Sequence, residues 1–173
     1  VKKLVYEEKK YTLAELKDAL ENNWEGREEM RLDFVRNAPK WGNDDERADR
    51  LAVALCARRD RALRHAAARA GLPPFTVCHV VRSLHHVDGK QIGPTLDGRP
   101  PGSPVGDGIG AVQGTDGRGP TALLKSVLRL RAAEWFTGIY NLNLTLPADP
   151  KGNAAAIHGL ATAFFHKGGQ ELQ

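Results

Sequence analysis

Between Asp88 and Gly119, ten of 32 residues are glycine and four are proline. That density excludes long regular elements, because glycine adds to the entropy lost on ordering and proline removes a backbone donor. The segment predicts a long structured loop or a series of turns over residues 88–119. A loop of that length in a folded chain is either functional or disordered.

Helices lead into it. Thr12-Leu-Ala-Glu15 has the form of a capping box, and Leu13, Leu16 and Leu20 follow at helical spacing. The helix should fade at Asn22-Asn23 and break at Gly26. A second, short helix is expected over Glu28–Val35 with Met30 and Phe34 inward, stopped by Pro39. Asn43 or Asp44 is the expected N-cap of a long helix with Ala48, Leu51, Ala52, Leu55, Ala62 and Leu63 on its apolar face. Arg58, Arg59, Arg61 and Arg64 then fall on solvated sides, and Gly71 with Pro73-Pro74 ends the helix.

Phe75–Val81 reads as a β-branched strand. Beyond the glycine-rich segment, Pro120 or Thr121 opens a helix with Leu123, Leu124, Val127 and Leu128 inward. Asn141–Leu146 alternates strictly, as a strand does. Asp149-Pro150 or Asn153 starts a last helix with Ile157, Leu160, Ala161 and Phe164 on one side. Gln170-Glu-Leu-Gln173 reads as the start of another strand. The chain starts with Val rather than Met, and the expectation is a fragment of a larger domain.

No apolar run is long enough to cross a bilayer, and the charged N-terminus does not resemble a secretory signal. Cys56 and Cys78 are the only cysteines, which predicts a reduced, cytoplasmic protein without a disulfide framework. Charge is uneven. Residues 1–46 hold nine Lys/Arg against twelve Asp/Glu, net −3, whereas residues 47–173 hold sixteen against nine, net +7. A basic half raises nucleic-acid binding as an alternative, but the arginines have little aromatic interleaving, so nucleic acid is not the expected partner.

Local chemistry offers little. Cys78-His79 and His85-His86 are adjacent pairs, which point apart on a strand, so no metal is expected. Gly106-Asp-Gly-Ile-Gly110 and Gly114-Thr-Asp-Gly-Arg-Gly119 lack the G-K-S/T ending of a phosphate loop. Ser83, Ser103 and Ser126 stand in no nucleophile motif. Cys56 lies beside an apolar helix stripe, where a thiol packs as a small hydrophobe.

Three ordered blocks carry a more specific signal. Asn37-Ala-Pro-Lys-Trp-Gly-Asn-Asp-Asp45 is similar to N-x-P-K-Y/W-G-N-D-D. Gly93-Pro-Thr-Leu-Asp-Gly-Arg99 and Gly102-Ser-Pro-Val-Gly-Asp-Gly108 are similar to G-x-x-P-D-G-R-x-x-G-x-P-x-x-D-G. Gly114-Thr-Asp-Gly-Arg-Gly-Pro-Thr-Ala122 with Lys125-Ser-Val127 is similar to G-x-D-x-x-G-P-T-A followed by x-x-S-V. The ending Gly168-Gly-Gln-Glu-Leu-Gln173 matches G-G-Q-x-x-Q. Together, from about Thr12 to the last residue, they resemble the C-terminal half of glycyl radical enzymes of the pyruvate formate-lyase and glycerol dehydratase type. Leu96 departs from the usual Pro, and Gly110-Ala111 from a common Ser-Pro.

The resemblance implies an α/β fold, part of a ten-stranded barrel of two half-barrels wrapped by helices. It implies chemistry in which a backbone glycyl radical, installed by a radical-SAM activase, takes a hydrogen atom from a cysteine. The family's cysteine motif G-C-x-E and radical motif R-V-x-G-Y do not occur in these 173 residues, and Gly138-Ile-Tyr140 is no substitute. No catalytic residue and no bound cofactor can therefore be assigned. Six residues remain as candidates for lining the pocket or supporting the loop: Asp97, Arg99, Asp107, Asp116, Asn141 and Asn143. The expected partners are the remainder of the enzyme, a homo-oligomer, and the activase. The chain is expected to be inactive by itself and, with open strand edges, to associate with itself or other chains. A non-catalytic binding or assembly module derived from such an enzyme is the alternative.

Overall fold

The structure is a computed structural model that describes residues 1–75, 77–79, 84–131, 140–146 and 149–173. A π-helical turn, Lys2–Glu7, precedes α1 (Leu13–Glu21), α2 (Glu28–Asn37), α3 (Glu46–Arg69), α4 (His85–Gln91), α5 (Pro120–Arg129), β1 (Asn141–Leu142), α6 (Pro150–His166) and β2 (Glu171–Leu172). The chain divides into two compact units, one of Val1–Lys40 with Ser83–Val105, the other of Trp41–Arg82 with Gly106–Gln173.

In the first unit the capping box forms as its residues dictate. The Glu15 N–H donates to Thr12 Oγ1 at 3.1 Å, and the Thr12 N–H donates to Glu15 Oε2 at 2.7 Å. Leu4, Val5, Leu16, Ala19, Trp24, Met30 and Phe34 make the core. Leu13 is half-exposed instead of inward, because the packed side of α1 is centred on Leu16 and Ala19. α2 runs two residues past the expected Val35. α4 also takes the first residues of the glycine-rich segment, so the loop begins at Ile92 rather than Asp88. Gly89 sits inside that helix because the Ser103 carbonyl lies where a Cβ would be. Gly98 has φ +93 and lies against α2, its absent Cβ only 2.6 Å from Val35 Cγ2.

In the second unit Asp45 caps α3, accepting the Arg47 N–H at 3.0 Å, where Asn43 or Asp44 was expected. The inward side of α3 also differs from the apolar face read in the sequence. Leu51 and Leu55 are 55% and 69% exposed. Ala52 packs on the core as read, Val53 and Cys56 join it in place of the leucines, and Asp49 and Asp60 are buried. Hydropathy favoured the leucines, but the buried partners of Asp49 set the rotation of the helix. α5 buries Leu123, Leu124 and Val127 as its periodicity requires, Ser126 is buried beside them, and Leu128 is half-buried.

The alternating segment after residue 139 contributes only a short strand. β1 pairs in parallel with β2, Asn141 opposite Glu171 and Leu142 opposite Leu172. Beyond it the Leu144 N–H still donates to the Gln173 carbonyl at 2.8 Å. α6 connects the two strands, its Asp149 cap accepting the Gly152 N–H at 3.1 Å. Phe164 is fully buried there, while Ile157 faces solvent rather than the core. The strand expected over Phe75–Val81 falls partly outside the described residues, at 76, 80 and 81; within them His79 makes a parallel bridge to Tyr140. The first two residues of Gly138-Ile-Tyr140 also lie outside. The whole is a helix-rich α/β chain with a small parallel sheet, and no helix among the described residues is long and apolar enough to cross a membrane.

Candidate functional site

The candidate residues fall in both units. Asp97 and Arg99 belong to the first, where the loop is wound around the guanidinium. Arg99 is 6% exposed. Its Nη1 donates to the carbonyls of Ser103 at 2.6 Å and Pro100 at 3.2 Å, its Nη2 to Ile92 at 3.3 Å and to Gly93, and its Nε to Thr95 Oγ1 at 3.3 Å. A guanidinium has five N–H groups, so none is left for a ligand. Asp97 accepts from the Thr95 hydroxyl and, at 3.5 Å, from the Arg99 N–H. Its carbonyl accepts from Lys40 Nζ at 2.7 Å, and Lys40 also donates to the Phe34 carbonyl at 2.6 Å. Burial pushes the Lys40 ammonium below its usual value, with Asp97 pulling the other way.

Asp107, Asp116, Asn141 and Asn143 belong to the second unit. Asn143 Nδ2 donates to Asp107 Oδ2 at 2.6 Å. Asn141 is buried, its N–H donating to the His79 carbonyl at 2.9 Å and its carbonyl accepting the Ile109 N–H at 3.2 Å. Strand alternation sets these two asparagines opposite Leu142 and Leu144, which pack in the core cluster that contains Phe164 and Leu160. Asp116 acts through its backbone: the Gly119 N–H donates to its carbonyl at 3.1 Å, and its carboxylate has no hydrogen bond or ion pair among the described residues.

Reading the sequence for single sites missed the residues that join its first and third blocks. Asn43 Nδ2 donates to the Thr115 carbonyl at 2.6 Å, and Asn43 Oδ1 accepts the Arg118 N–H at 3.1 Å. The Asp44 N–H donates to Ser126 Oγ at 2.9 Å, and Ser126 Oγ donates to Asp49 Oδ2 at 3.1 Å. Asp44 also pairs with Arg129 at 2.5 Å and Lys125 at 3.2 Å. Trp41 Nε1 donates to the Ile109 carbonyl at 3.0 Å. The signal was in the blocks themselves, which contain Trp41, Asn43, Asp44, Thr115, Arg118, Lys125 and Ser126; Asp49, Ile109 and Arg129 lie outside them.

Comparison with known proteins bears on what this arrangement is. The family model described as pyruvate formate lyase-like matches residues 1–78. The isethionate sulfite-lyase of Oleidesulfovibrio alaskensis is 37% identical over 126 residues, covering 73% of this chain and 15% of that protein. Formate acetyltransferase 1 of Escherichia coli is 33% identical over 144 residues, covering 78% and 19%. The glycerol-bound B12-independent glycerol dehydratase from Clostridium butyricum superposes with a TM-score of 0.77 at 30% identity, over 100% of this chain and 22% of that one. The chain belongs to the glycyl radical enzyme family. It spans between 15% and 22% of the length of these relatives.

The resemblance places the family's chemistry on a cysteine in G-C-x-E and a glycine in R-V-x-G-Y, and neither motif occurs in these 173 residues. Cys56 is half-buried on α3 with its thiol pushed up by burial, and Cys78 is exposed on an extended segment. Neither stands in G-C-x-E, and none of the 18 glycines stands in R-V-x-G-Y. No step through a radical is assigned to these residues. Among the described residues there is also no group of three or more His, Cys, Asp or Glu able to hold a metal. His85 and His86 lie on helix α4 rather than on a strand, their rings 4.1 Å apart.

Proposed function

We propose that this chain is a wall segment of the ten-stranded catalytic barrel of a glycyl radical enzyme, one that acts as a radical lyase, dehydratase or acyltransferase on a small organic substrate. The observation that carries the reading is the β1–α6–β2 unit. Two parallel strands joined by a helix are the building block of a parallel barrel. Its apolar side packs on α6, and its other side carries Asn141 and Asn143, the latter tied to Asp107 of the glycine-rich segment. A barrel lined by a few convergent polar groups suits a small polar substrate. In this reading Asn141, Asn143 and Asp107 face the cavity, while Asp97, Arg99 and Asp116 support the loop. The relatives act on isethionate, formate or glycerol by their names; the bond broken by the completed enzyme falls in that broad class.

The same reading makes the 173 residues inactive alone. The remainder of the enzyme or a second copy completes the barrel, a radical-SAM activase installs the radical on the completed enzyme, and the setting is cytoplasmic. Anaerobic incubation of this chain with such an activase should give no glycyl radical doublet by electron paramagnetic resonance; a doublet overturns inactivity. In an intact family member, substitutions at the positions matching Asp107 and Asn143 should lower kcat/KM without lowering Tm. At the positions matching Asp97 and Arg99 they should lower Tm first. The reverse pattern overturns the division between pocket and support.

A further inference from the structure

Cys78 lies between two residues that face the helices. Val77 packs against the core cluster that β1 shares with α5 and α6, and His79 Nε2 lies 2.9 Å from Arg59 Nη1 of α3. His79 also makes a parallel bridge to Tyr140, and its carbonyl accepts the Asn141 N–H at 2.9 Å. Bridged residues of neighbouring strands point the same way, and successive residues of one strand point opposite ways. His79 therefore shares the side of Tyr140, Leu142 and Leu144, which pack in the cluster with Leu160 and Phe164 of α6. Cys78 falls on the other side, with Asn141 and Asn143. Burial agrees: Val77 and His79 are half-buried, whereas Cys78 is exposed.

The same side holds a polar group that lacks a partner. Asn143 Nδ2 donates to Asp107 Oδ2 at 2.6 Å, and because a carboxylate only accepts, the amide cannot be turned about. Asn143 Oδ1 is then buried with no donor among the described residues. A buried amide oxygen in that state calls for an O–H or N–H from outside these residues. We infer that Cys78 is a further wall residue of the substrate cavity, its thiol lying against the carbon skeleton of the substrate while Asn143 and Asp107 take the polar groups. The inference rests on the barrel reading proposed above. Completion of the barrel by the rest of the same protein closes this side from bulk solvent and leaves Cys78 facing the cavity. A thiol is small, polarizable and weakly hydrogen-bonding, so it gives apolar contact between polar neighbours. Cys56 has no such place, since it packs on the core from α3.

The test is thiol labelling read at Cys78 by peptide mass spectrometry, in the 173-residue chain and in the completed enzyme. Methyl methanethiosulfonate, which adds only a methylthio group, should label Cys78 in both. A maleimide carrying a long polyethylene glycol chain should label it in the 173 residues alone, because a closed cavity admits only small molecules. Labelling by both reagents in the completed enzyme overturns the inference by placing Cys78 on the outside. Labelling by neither overturns it as well, since the rest of the protein then packs against the thiol. The Asn143→Cys variant separates this inference from the reading beneath it. If that variant takes both reagents in the completed enzyme, the barrel reading fails; if it takes only the small one while Cys78 takes both or neither, the inference fails alone. Contact with substrate is read in the glycerol dehydratase of Clostridium butyricum. A phenylalanine at the position matching Cys78 should lower kcat/KM for glycerol about tenfold, with Tm and radical yield as in the parent. An unchanged kcat/KM overturns the contact.

Discussion

Asp33 is buried in the first unit and Asp49, like Asp60, in the second, and Asp33 and Asp49 are held in opposite ways. Asp33, 7% exposed, accepts from the Tyr11 hydroxyl at 2.8 Å and Asn37 Nδ2 at 2.5 Å and pairs with Lys10 at 2.5 Å. The Asn37 and Lys10 hydrogen bonds, aided by Tyr11, hold its carboxyl well down, at about 2. Asp49, 1% exposed, has Ser126 at 3.1 Å and Arg129 at 3.2 Å on one oxygen and no partner on the other. Burial raises its pKa, with Asp44 and Asp45 adding to the effect against Ser126 and Arg129. Burial alone does not decide the direction; the number of donors reaching the charged oxygens does. The first unit uses its carboxylate to tighten a small aromatic core. The second accepts an under-bonded one where the Asn43–Asp45 turn, α3 and α5 meet.

The strongest attempt to break this comparison removes each core. Phe34→Ala and Phe164→Ala each empty a fully buried ring site, and each should lower stability by about 4 kcal/mol. Amide exchange should quicken chiefly in the unit that carries the substitution. Equal loss across both would mean that the chain unfolds as one cooperative body.

Next comes the loop of the first unit. Gly98→Ala forces a Cβ toward Val35 and the Arg31 carbonyl at a positive φ, and should lower stability by about 3 kcal/mol by chemical denaturation. A change under about 1 kcal/mol would show that the loop yields freely.

The aspartates should then respond with opposite signs. The Asp33 carboxyl is depressed, so its contribution is complete above the ordinary value of 3.8 and fades as pH falls toward about 2. Asp33→Asn should lower stability at pH 7 by about 2 kcal/mol, with the difference shrinking as acid protonates the parent. The Asp49 carboxyl is raised, so its contribution is present below 3.8 and lost as pH rises through its folded value. Asp49→Asn should raise stability at pH 7 by about 1 kcal/mol. Thermal melts across pH read both, and matching signs would erase the contrast. The smallest effect sharpens it at the helix end: Thr12→Ala removes the cap of α1 and should lower the first unit's stability by about 1 kcal/mol.

What was legible follows from range along the chain. The capping box, the inward Leu123, Leu124 and Val127 of α5 and the Pro120 start are decided within one or two helical turns, and they appear as read. The rotation of α3 was not legible. Leu51 and Leu55 look like core by hydropathy, yet Asp49 is drawn inward by Ser126, 77 residues away. The site was legible in its blocks and illegible in its bonds. Asp107 was named without Asn143 as its partner, and Arg99 without the carbonyls that fill its donors.

By itself the sequence determined the family of this protein, the capping box of α1, the Pro120 start of α5, and the fact that most of the long glycine-rich segment could not be regular. Those depend on residue types and local spacing. Only the tertiary structure decided that the loop turns around Arg99, that Asn43 and Ser126 lock the first block to the third, and that Leu51 and Leu55 of α3 face outward. The reason is physical. A local pattern states what a side chain prefers, whereas a buried charge goes where distant donors meet it, and those donors are brought together only by the fold.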